Sequence, residues 1–437
     1  MAWDFETEPD FQAKLDWMRE FLDREILPLE TIEYDVTDEQ WARLTDPLKA
    51  EVKRQGLWAC HLDHELGGQG FGQVKLALMH EILGRSTTIA PSIFGNNAPD
   101  SGNAELIAIG GDAQQKKRWL EPLLDGTMRS AYSMTEPEVA GSDPTLIRTT
   151  AVLDGDEYVI NGHKWFSSNA SVSNFLIVMV VTNPDVHAYQ GCSMIIVPTT
   201  TPGVRIVRDV PNMHHPNPSH DATKRRPAGH AEIYYDNVRV PRENLIGNPG
   251  DGFLLAQKRL GPGRIHHAMR WLGQARRAFD MMCERALSRY SHGSLLAEKQ
   301  MIQDFVAESL IDIETAKMLC MKAAWHMDKH GASRSRTEIA MIKVYGTKML
   351  YNVIDRSIQV HGALGYTTDL PLEEMYRNAR ASRLVDGADE VHKVTIARQT
   401  LKGYKAVEGW PSEHVPTRRA AALEKFAEIF DIESANN

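Results

Sequence analysis

The chain has 437 residues, of which 42% are hydrophobic, and 58 acidic against 49 basic side chains give it a formal net charge of −9. That length buries a substantial core and divides into two or three domains. Acidic and basic residues are interspersed, which argues against nucleic acid as a main partner. Cys60, Cys192, Cys283 and Cys320 match no zinc or disulfide spacing and fit reduced thiols, so no metal is expected. The start, Met-Ala-Trp-Asp-Phe-Glu-Thr-Glu, lacks the basic and apolar regions of a signal peptide, and the longest apolar run, Phe175 to Val181, is too short to span a bilayer. The expectation is a soluble cytoplasmic protein without a membrane span.

From about Asp10 to Gly126 apolar residues recur at helical spacing, as in Phe11, Leu15, Met18, Phe21, Leu22 and Ile26, with breaks at Gly67 to Gly70 and Asn96 to Pro99. Between Met128 and Gly247 the pattern changes to short strands: Thr149 to Leu153, Glu157 to Asn161, Phe175 to Val181, Ser193 to Val197 and Ala231 to Tyr235. Gly155-Asp156 forms a hairpin turn between the first two. The segment from Pro211 to His230 carries four prolines, His214, His215, His220, His230 and Lys224-Arg225-Arg226. Without an acidic or cysteine ligand at a recognisable spacing, it reads as an exposed loop rather than a metal site. Helical periodicity returns after Gly252, with long segments near 253–290, 296–330 and 335–362. The reading is an α+β chain with an N-terminal helical domain over 1–128, a middle β domain over 129–247 and a C-terminal helical domain over 248–437.

Three stretches carry chemistry. Tyr132 to Asp143 reads Tyr-Ser-Met-Thr-Glu-Pro-Glu-Val-Ala-Gly-Ser-Asp, where helices give way to strands. Its small residues, hydroxyls and exposed amides suit a heteroaromatic ring and a phosphate. Asn161 to Asn169 reads Asn-Gly-His-Lys-Trp-Phe-Ser-Ser-Asn, a turn feeding an aromatic pair and hydroxyls able to cover one face of a flavin. Taken singly, each is an ordinary polar turn or a piece of aromatic core. Near the C-terminus, Asp386 precedes Gly387 at a junction where one helical stretch stops and the next begins with Ala-Asp-Glu-Val-His. A carboxylate held there, away from an obvious ion-pair partner, can keep a raised pKa and accept a proton. Local sequence alone offers a simpler role, a cap for the following helix.

Together these motifs resemble the acyl-CoA dehydrogenase family, over nearly the whole chain to about residue 400. The family's Thr-Glu-Pro-x-Ala-Gly-Ser-Asp loop is present with one extra residue, and its Asn-Gly-x-Lys-x-Trp turn has Phe166 at the tryptophan position. The resemblance implies a helical domain, a β-barrel-like middle domain and a C-terminal four-helix bundle. It implies FAD held by Met134, Thr135, Gly141, Ser142, Phe166 and Ser168. Arg289, Ser291 and Gln300 resemble the segment that reaches the FAD of a neighbouring subunit, and Gln359 to Gly365, with Gln359 and Gly362, resembles the adenine-side motif. Arg264 stands where the family places an arginine near the CoA of the substrate, with Gly387 also on the substrate side.

The implied reaction converts an acyl-CoA to its trans-2-enoyl-CoA, in the manner of fatty acid β-oxidation. Asp386 removes the α-proton, and the β-hydride passes to flavin N5. The enolate oxygen is held by a ribityl hydroxyl and the Asp386 N–H. Burial against the substrate should raise the Asp386 pKa. The family's usual base is glutamate; here Val385-Asp386-Gly387-Ala388 places an aspartate, and Gly263 stands at the alternative base position on an earlier helix, so the chain is similar to an aspartate-base branch. That branch includes the dehydrogenase domain of large animal fusion proteins. Ala388 and Ala363 replace a threonine and a glycine of the family pattern. The resemblance also implies a homotetramer built of dimers and reoxidation by electron-transferring flavoprotein. A flavin oxidase similar to nitroalkane oxidases shares the fold and an aspartate base. A flavin-bearing, DNA-associated protein of the alkylation-response type is opposed by the acidic tail. The shorter base and Gly263 leave room for a bulky, branched or hydroxylated acyl chain.

Overall fold

The computed structural model describes residues 6–64, 68–86, 88–214 and 229–429. His215, His220 and Lys224-Arg225-Arg226 of the Pro-rich segment lie outside the described residues.

The N-terminal part is helical because its apolar residues return on one face. Helix α1 (Pro9–Phe21) buries Phe11, Leu15, Met18 and Phe21. Helix α2 (Asp38–Arg54) starts at a capping box: Gln40 N–H donates to Thr37 Oγ1 and Thr37 N–H to Gln40 Oε1. Two further helices, α3 (Gly72–Leu83) and α4 (Asp100–Gly110), supply the surfaces that meet the rest of the molecule. Asp100 accepts both the N–H and the hydroxyl of Ser130 at 2.7 Å, tying α4 to the first strand of the middle domain.

The middle domain is an eight-stranded sheet. Its strands are β1 (Ser130–Ser133), β2 (Thr150–Asp154), β3 (Glu157–Ser168), β4 (Phe175–Val181), β5 (Cys192–Pro198), β6 (Val204–Asp209), β7 (His230–Pro241) and β8 (Leu245–Ile246). They run in the order β6-β7-β3-β2-β4-β5-β8, with β1 parallel to β4. The continuous apolar run of β4 is explained by burial on both faces. Phe175, Ile177 and Met179 meet the α4 side, whereas Leu176, Val178 and Val180 fill the interior of the β domain with Ile160, Ile195 and Ile233.

One expectation is corrected here. Asn161 to Ser168 is not a turn but the continuation of β3, paired with β7 to Ser168↔His230. Register shifts between Ile160 and Gly162 and between Lys164 and Ser167 let the strand bend without ending. Gly162 is required at the first, since a Cβ there would lie 2.3 Å from Thr149 Oγ1.

The C-terminal domain consists of three long helices, α5 (Gly252–Ser288), α6 (Gln300–His330) and α7 (Arg336–His361), with α8 (Leu372–Ser382) and α9 (Asp389–Leu401) completing the bundle. Its core contains Ile265, Met269, Leu272, Ile313, Met321, Leu350 and Ile354, and Ala77 of α3 belongs to the same cluster. Helix α5 crosses the end of α3 at backbone contact. A Cβ on Gly84 would lie 2.2 Å from Arg270 O, and one on Gly273 would lie 2.1 Å from Glu81 O. Gly273→Ala forces these backbones apart; an overpacking loss of about 1–3 kcal/mol is expected, read as a lower denaturant midpoint at unchanged slope.

Candidate active site

Asp386 sits on the turn between α8 and α9 with a left-handed φ of 54°, followed by Gly387 at 99°. Asparagine and aspartate tolerate this region better than most residues. Gly387 is constrained twice, since a Cβ there would also lie 2.8 Å from His392 Nε2. The helix-cap role does not hold: the α9 N-cap is Ala388, with no side-chain cap. Instead, Asp386 is held at three points. Arg264 Nε donates to its carbonyl at 3.1 Å, His392 Nε2 lies 3.1 Å from the same oxygen, and His267 Nδ1 lies 2.8 Å from carboxylate Oδ2.

Asp386 thus has a close imidazole neighbour but, among the described residues, no arginine or lysine paired with its carboxylate, whereas the expected raised pKa is overturned. Burial pushes the Asp386 carboxyl up, but His267, Arg264 and Arg259 outweigh it and hold the group below the usual carboxylate range. His267 is pushed down by its own burial and by Arg270, so the pair is a neutral imidazole donating to an ionised carboxylate. Asp386 and His267 keep 23% and 25% of their side chains exposed, which leaves both facing an open cleft. Arg264, expected near the CoA, turns its Nε to the Asp386 carbonyl. A Cβ at Gly263 would meet nothing within 4 Å, so space is open beside it.

Behind His267 the packing of α5 against the N-terminal helices is polar and buried. Arg270 donates to Asn96 O at 3.2 Å, and Asn96 Oδ1 lies 3.1 Å from His61 Nδ1. The His80 and His266 rings stack at 4.3 Å. His61 Nε2, both His80 ring nitrogens and Asn96 Nδ2 are buried without a hydrogen-bond partner. Burial lowers Arg270 to about 10 and His61 to about 4. Arg259 donates to Asn103 Oδ1 at 3.3 Å and lies 4.1 Å over the Tyr132 ring. Glu105, which interacts with Arg259, is pushed by burial to about 8 and is protonated at neutral pH. Among the described residues none of Arg259, Arg264 and Arg270 forms a salt bridge to a carboxylate side chain. A separate cavity of about 450 Å³, lined by α2, α4 and residues such as Lys49, Trp58, His61 and Asp100, does not include Asp386.

The two flavin motifs come together at the end of β1. Trp165 N–H donates to Thr135 O at 3.0 Å, joining β3 to the loop that follows β1. Beneath them, Lys164 and Glu136 form an ion pair at 2.9 Å with 0% and 2% of their side chains exposed. Lys164 Nζ also donates to Met134 O at 2.8 Å, while Glu136 accepts the N–H groups of Arg148 and Thr149 and the Thr149 hydroxyl. Burial opposes the Glu136 charge, and Lys164 with these donors overcomes it. Above this pair Thr135, Gly141 and Ser142 are exposed, and Phe166 is 41% exposed at a φ of 51°. Ser168 Oγ lies 2.8 Å from His230 Nδ1. An exposed ring beside hydroxyls and open loop amides fits a flavin and its pyrophosphate. Through Tyr132, Arg259 links this loop to the Asp386 cleft.

Arg289, Ser291, Gln300, Gln359 and Gly362 gather elsewhere, at one end of the bundle. Arg289 leads into a hairpin of Tyr290–Ser291 and Ser294–Leu295, Gln300 begins α6, and Gln359 and Gly362 end α7. Met282, Ala286 and Val360 pack beneath them, while Arg289, Gln300, Gln359 and Gly362 are exposed. Among the described residues no hydrogen bond joins this group to the Met134 loop. Sequence reasoning passed over His267, Arg259, Arg270 and His392. Arg264 and His267 stand one helical turn apart in Arg-Ile-His-His, which was the available signal.

A helical part, a sheet and a helical bundle in that order is the layout of the acyl-CoA dehydrogenases. The family models for the N-terminal, middle and C-terminal domains of acyl-CoA dehydrogenase match residues 8–127, 131–224 and 250–401. The chain belongs to the acyl-CoA dehydrogenase family of enzymes. It is 46% identical over 365 residues to FadE2 of Mycobacterium tuberculosis, covering 83% of this chain and 87% of that one. It is 41% identical over 402 residues to human acyl-CoA dehydrogenase family member 11, covering 90% of this chain but 50% of that protein. The chain thus spans about half the length of that animal relative. A solved acyl-CoA dehydrogenase of Mycobacterium abscessus is 40% identical with a TM-score of 0.84, covering 92% of this chain and 100% of that one. Among the described residues, no helix is long and apolar enough to cross a membrane.

Lys164→Met leaves Glu136 buried and unpaired; a loss of about 3–5 kcal/mol is expected. Chemical denaturation measures it, and release of bound FAD at lower denaturant than global unfolding would place the damage at the Met134 loop.

Proposed function

We propose that this protein is an FAD-dependent acyl-CoA dehydrogenase with Asp386 as its base. The observation that carries this reading is the ionised, part-exposed carboxylate of Asp386, held on a rigid turn and joined through Arg259 and Tyr132 to the exposed Thr135 and Phe166 surface. Asp386 takes the α-proton of the thioester; the electron pair of that C–H bond forms the new double bond as the β-hydrogen departs as hydride. Bound FAD supplies the hydride acceptor. Asp386 N–H takes no acceptor among the described residues and is free to donate to the thioester carbonyl, stabilising the charge that develops there. An ionised base suits the first step, and entry of the acyl chain then expels water and raises its affinity for the proton.

The acyl chain on this reading extends past His267 towards Arg270, Asn96, His61 and His80. Buried donors and acceptors without partners favour a chain with a polar substituent, in keeping with a hydroxylated acyl group, over a plain one. Met134, Thr135, Gly141, Ser142, Phe166 and Ser168 hold the FAD of their own subunit. The exposed bundle end with Arg289, Ser291, Gln300, Gln359 and Gly362 meets the FAD of a neighbour in a homotetramer, and exposed Leu287, Tyr290 and Met301 support burial of this end. Electron-transferring flavoprotein reoxidises the enzyme.

Anaerobic titration of the FAD-loaded protein with a panel of acyl-CoAs tests the reading. Bleaching of the flavin is expected; bleaching by nitroalkanes and by no acyl-CoA would instead identify an oxidase. Asp386→Asn should retain FAD and lose bleaching by at least about a thousandfold. Because Asp386 is held below the usual carboxylate range, the bleaching rate at limiting substrate should stay flat from neutral pH down to about pH 5, the base remaining ionised throughout. Arg270→Met should cost a hydroxylated chain about tenfold or more in kcat/KM relative to its plain counterpart.

A further inference from the structure

The three contacts on Asp386 differ in kind. Arg264 and His392 hold the main-chain carbonyl and so fix where the turn lies. Among the described residues His267 alone stands against the carboxylate, its Nδ1 2.8 Å from Oδ2. We infer that His267 is the positioning residue of the proton-transfer step: its Nδ1–H, 2.8 Å from Oδ2 of Asp386, fixes that oxygen and leaves Oδ1 as the atom that receives the α-proton. This inference rests on the reading of Asp386 as the base.

The tautomer follows from the charges around the pair. An ionised carboxylate only accepts, so the nitrogen 2.8 Å away must carry the hydrogen. Charged and titratable groups approach from every packed element: Arg259, Arg264 and Arg270 along α5, His80 from α3, Lys343 from α7 and His392 from α9. Burial, Arg270 and Arg259 disfavour a proton on His267 and outweigh Asp386, so the ring is neutral at neutral pH while the carboxylate is charged. His267 and Arg264 lie one turn apart on α5, so a single rigid helix sets both the height of the turn and the rotation of the side chain upon it. An aspartate on this backbone has one torsion fewer than a glutamate with which to find the α-hydrogen. A fixed donor on Oδ2 removes most of the remaining freedom and aims Oδ1 into the cleft.

Asparagine and glutamine separate this role from mere packing. Asparagine places its amide nitrogen where the histidine has Nδ1, and glutamine carries it one bond further, near the position of Nε2. FAD-loaded wild type, His267→Ala, His267→Asn, His267→Gln and Asp386→Asn would be mixed anaerobically with a reducing acyl-CoA, recording the bleaching rate and substrate Kd from pH 5 to 9. The alanine and glutamine variants should bleach on the order of 10–100-fold more slowly with little change in Kd, as expected for a misplaced reacting group. In these variants an acid limb, absent from the wild type over this range, should enter it from the low-pH side, because losing His267 leaves only Arg264 and Arg259 to oppose burial. The asparagine variant should stay within about threefold of wild type and show no acid limb over this range, following the loss of the imidazole but not of its donor.

Wild-type rates and no acid limb in the alanine variant would overturn the inference. So would equal loss in the asparagine and glutamine variants with no acid limb in either, since that marks packing alone. Should the alanine variant fail to fold, the asparagine and glutamine pair decides the matter by the same criterion. Bleaching of Asp386→Asn at the wild-type rate would instead remove Asp386 as the base, a failure of the parent reading and visible separately.

Discussion

Everything at the Asp386 turn depends on how closely two helices approach. Gly84 at the end of α3 and Gly273 on α5 let the backbones touch, each standing about where a side chain would strike the main chain of the other. The contact falls beside Arg270, one turn beyond His267, and so fixes the face of α5 that carries Arg264, His267 and Arg270. That face in turn carries the turn of Asp386. A separation of an ångström at the crossing would be felt at the carboxylate, because side-chain reach along this route is already used in bonds near 3 Å.

Electrostatics add a second layer. The acidic chain as a whole concentrates positive charge in one cleft, where Arg259, Arg264 and Arg270 face one ionised aspartate and a glutamic acid neutralised by burial. Such an arrangement costs folding energy when empty, since buried charge without a partner is unfavourable. The middle domain solves the opposite problem with Lys164 and Glu136, a pair closed off beneath the loop that it supports. One charge system is complete in itself and structural; the other is incomplete and open to the cleft.

The order of helices, sheet and bundle was legible because the hydrophobic period changes from helical to strand-like and back, and because the doubly buried β4 is an unbroken apolar run. The long helices α5, α6 and α7 fell within a few residues of their expected ends. What was misread is instructive. Asn161-Gly162 carries every local mark of a turn, yet pairing with β7 on the far side keeps the strand running through a bulge. The position of Asp386 could be read from Asp-Gly between two helical patterns, but its surroundings could not. Its partners come from α5, far upstream, and they reverse the direction in which burial alone would move its proton affinity. Long-range pairing of this kind leaves only a faint local trace, here an arginine and a histidine one turn apart.

The left-handed backbone at Asp386 also restricts which residues the position can accept. A main chain at φ 54° is tolerated by aspartate and asparagine at less cost than by longer or branched side chains. Lengthening the acid to glutamate therefore alters two properties at once: the reach of the carboxylate and the comfort of the turn that Arg264 and His392 hold. Asparagine changes neither shape nor backbone preference and removes charge alone. The backbone angle thus separates chemical from conformational effects at this residue, and it makes the aspartate a product of the turn as much as of the reaction.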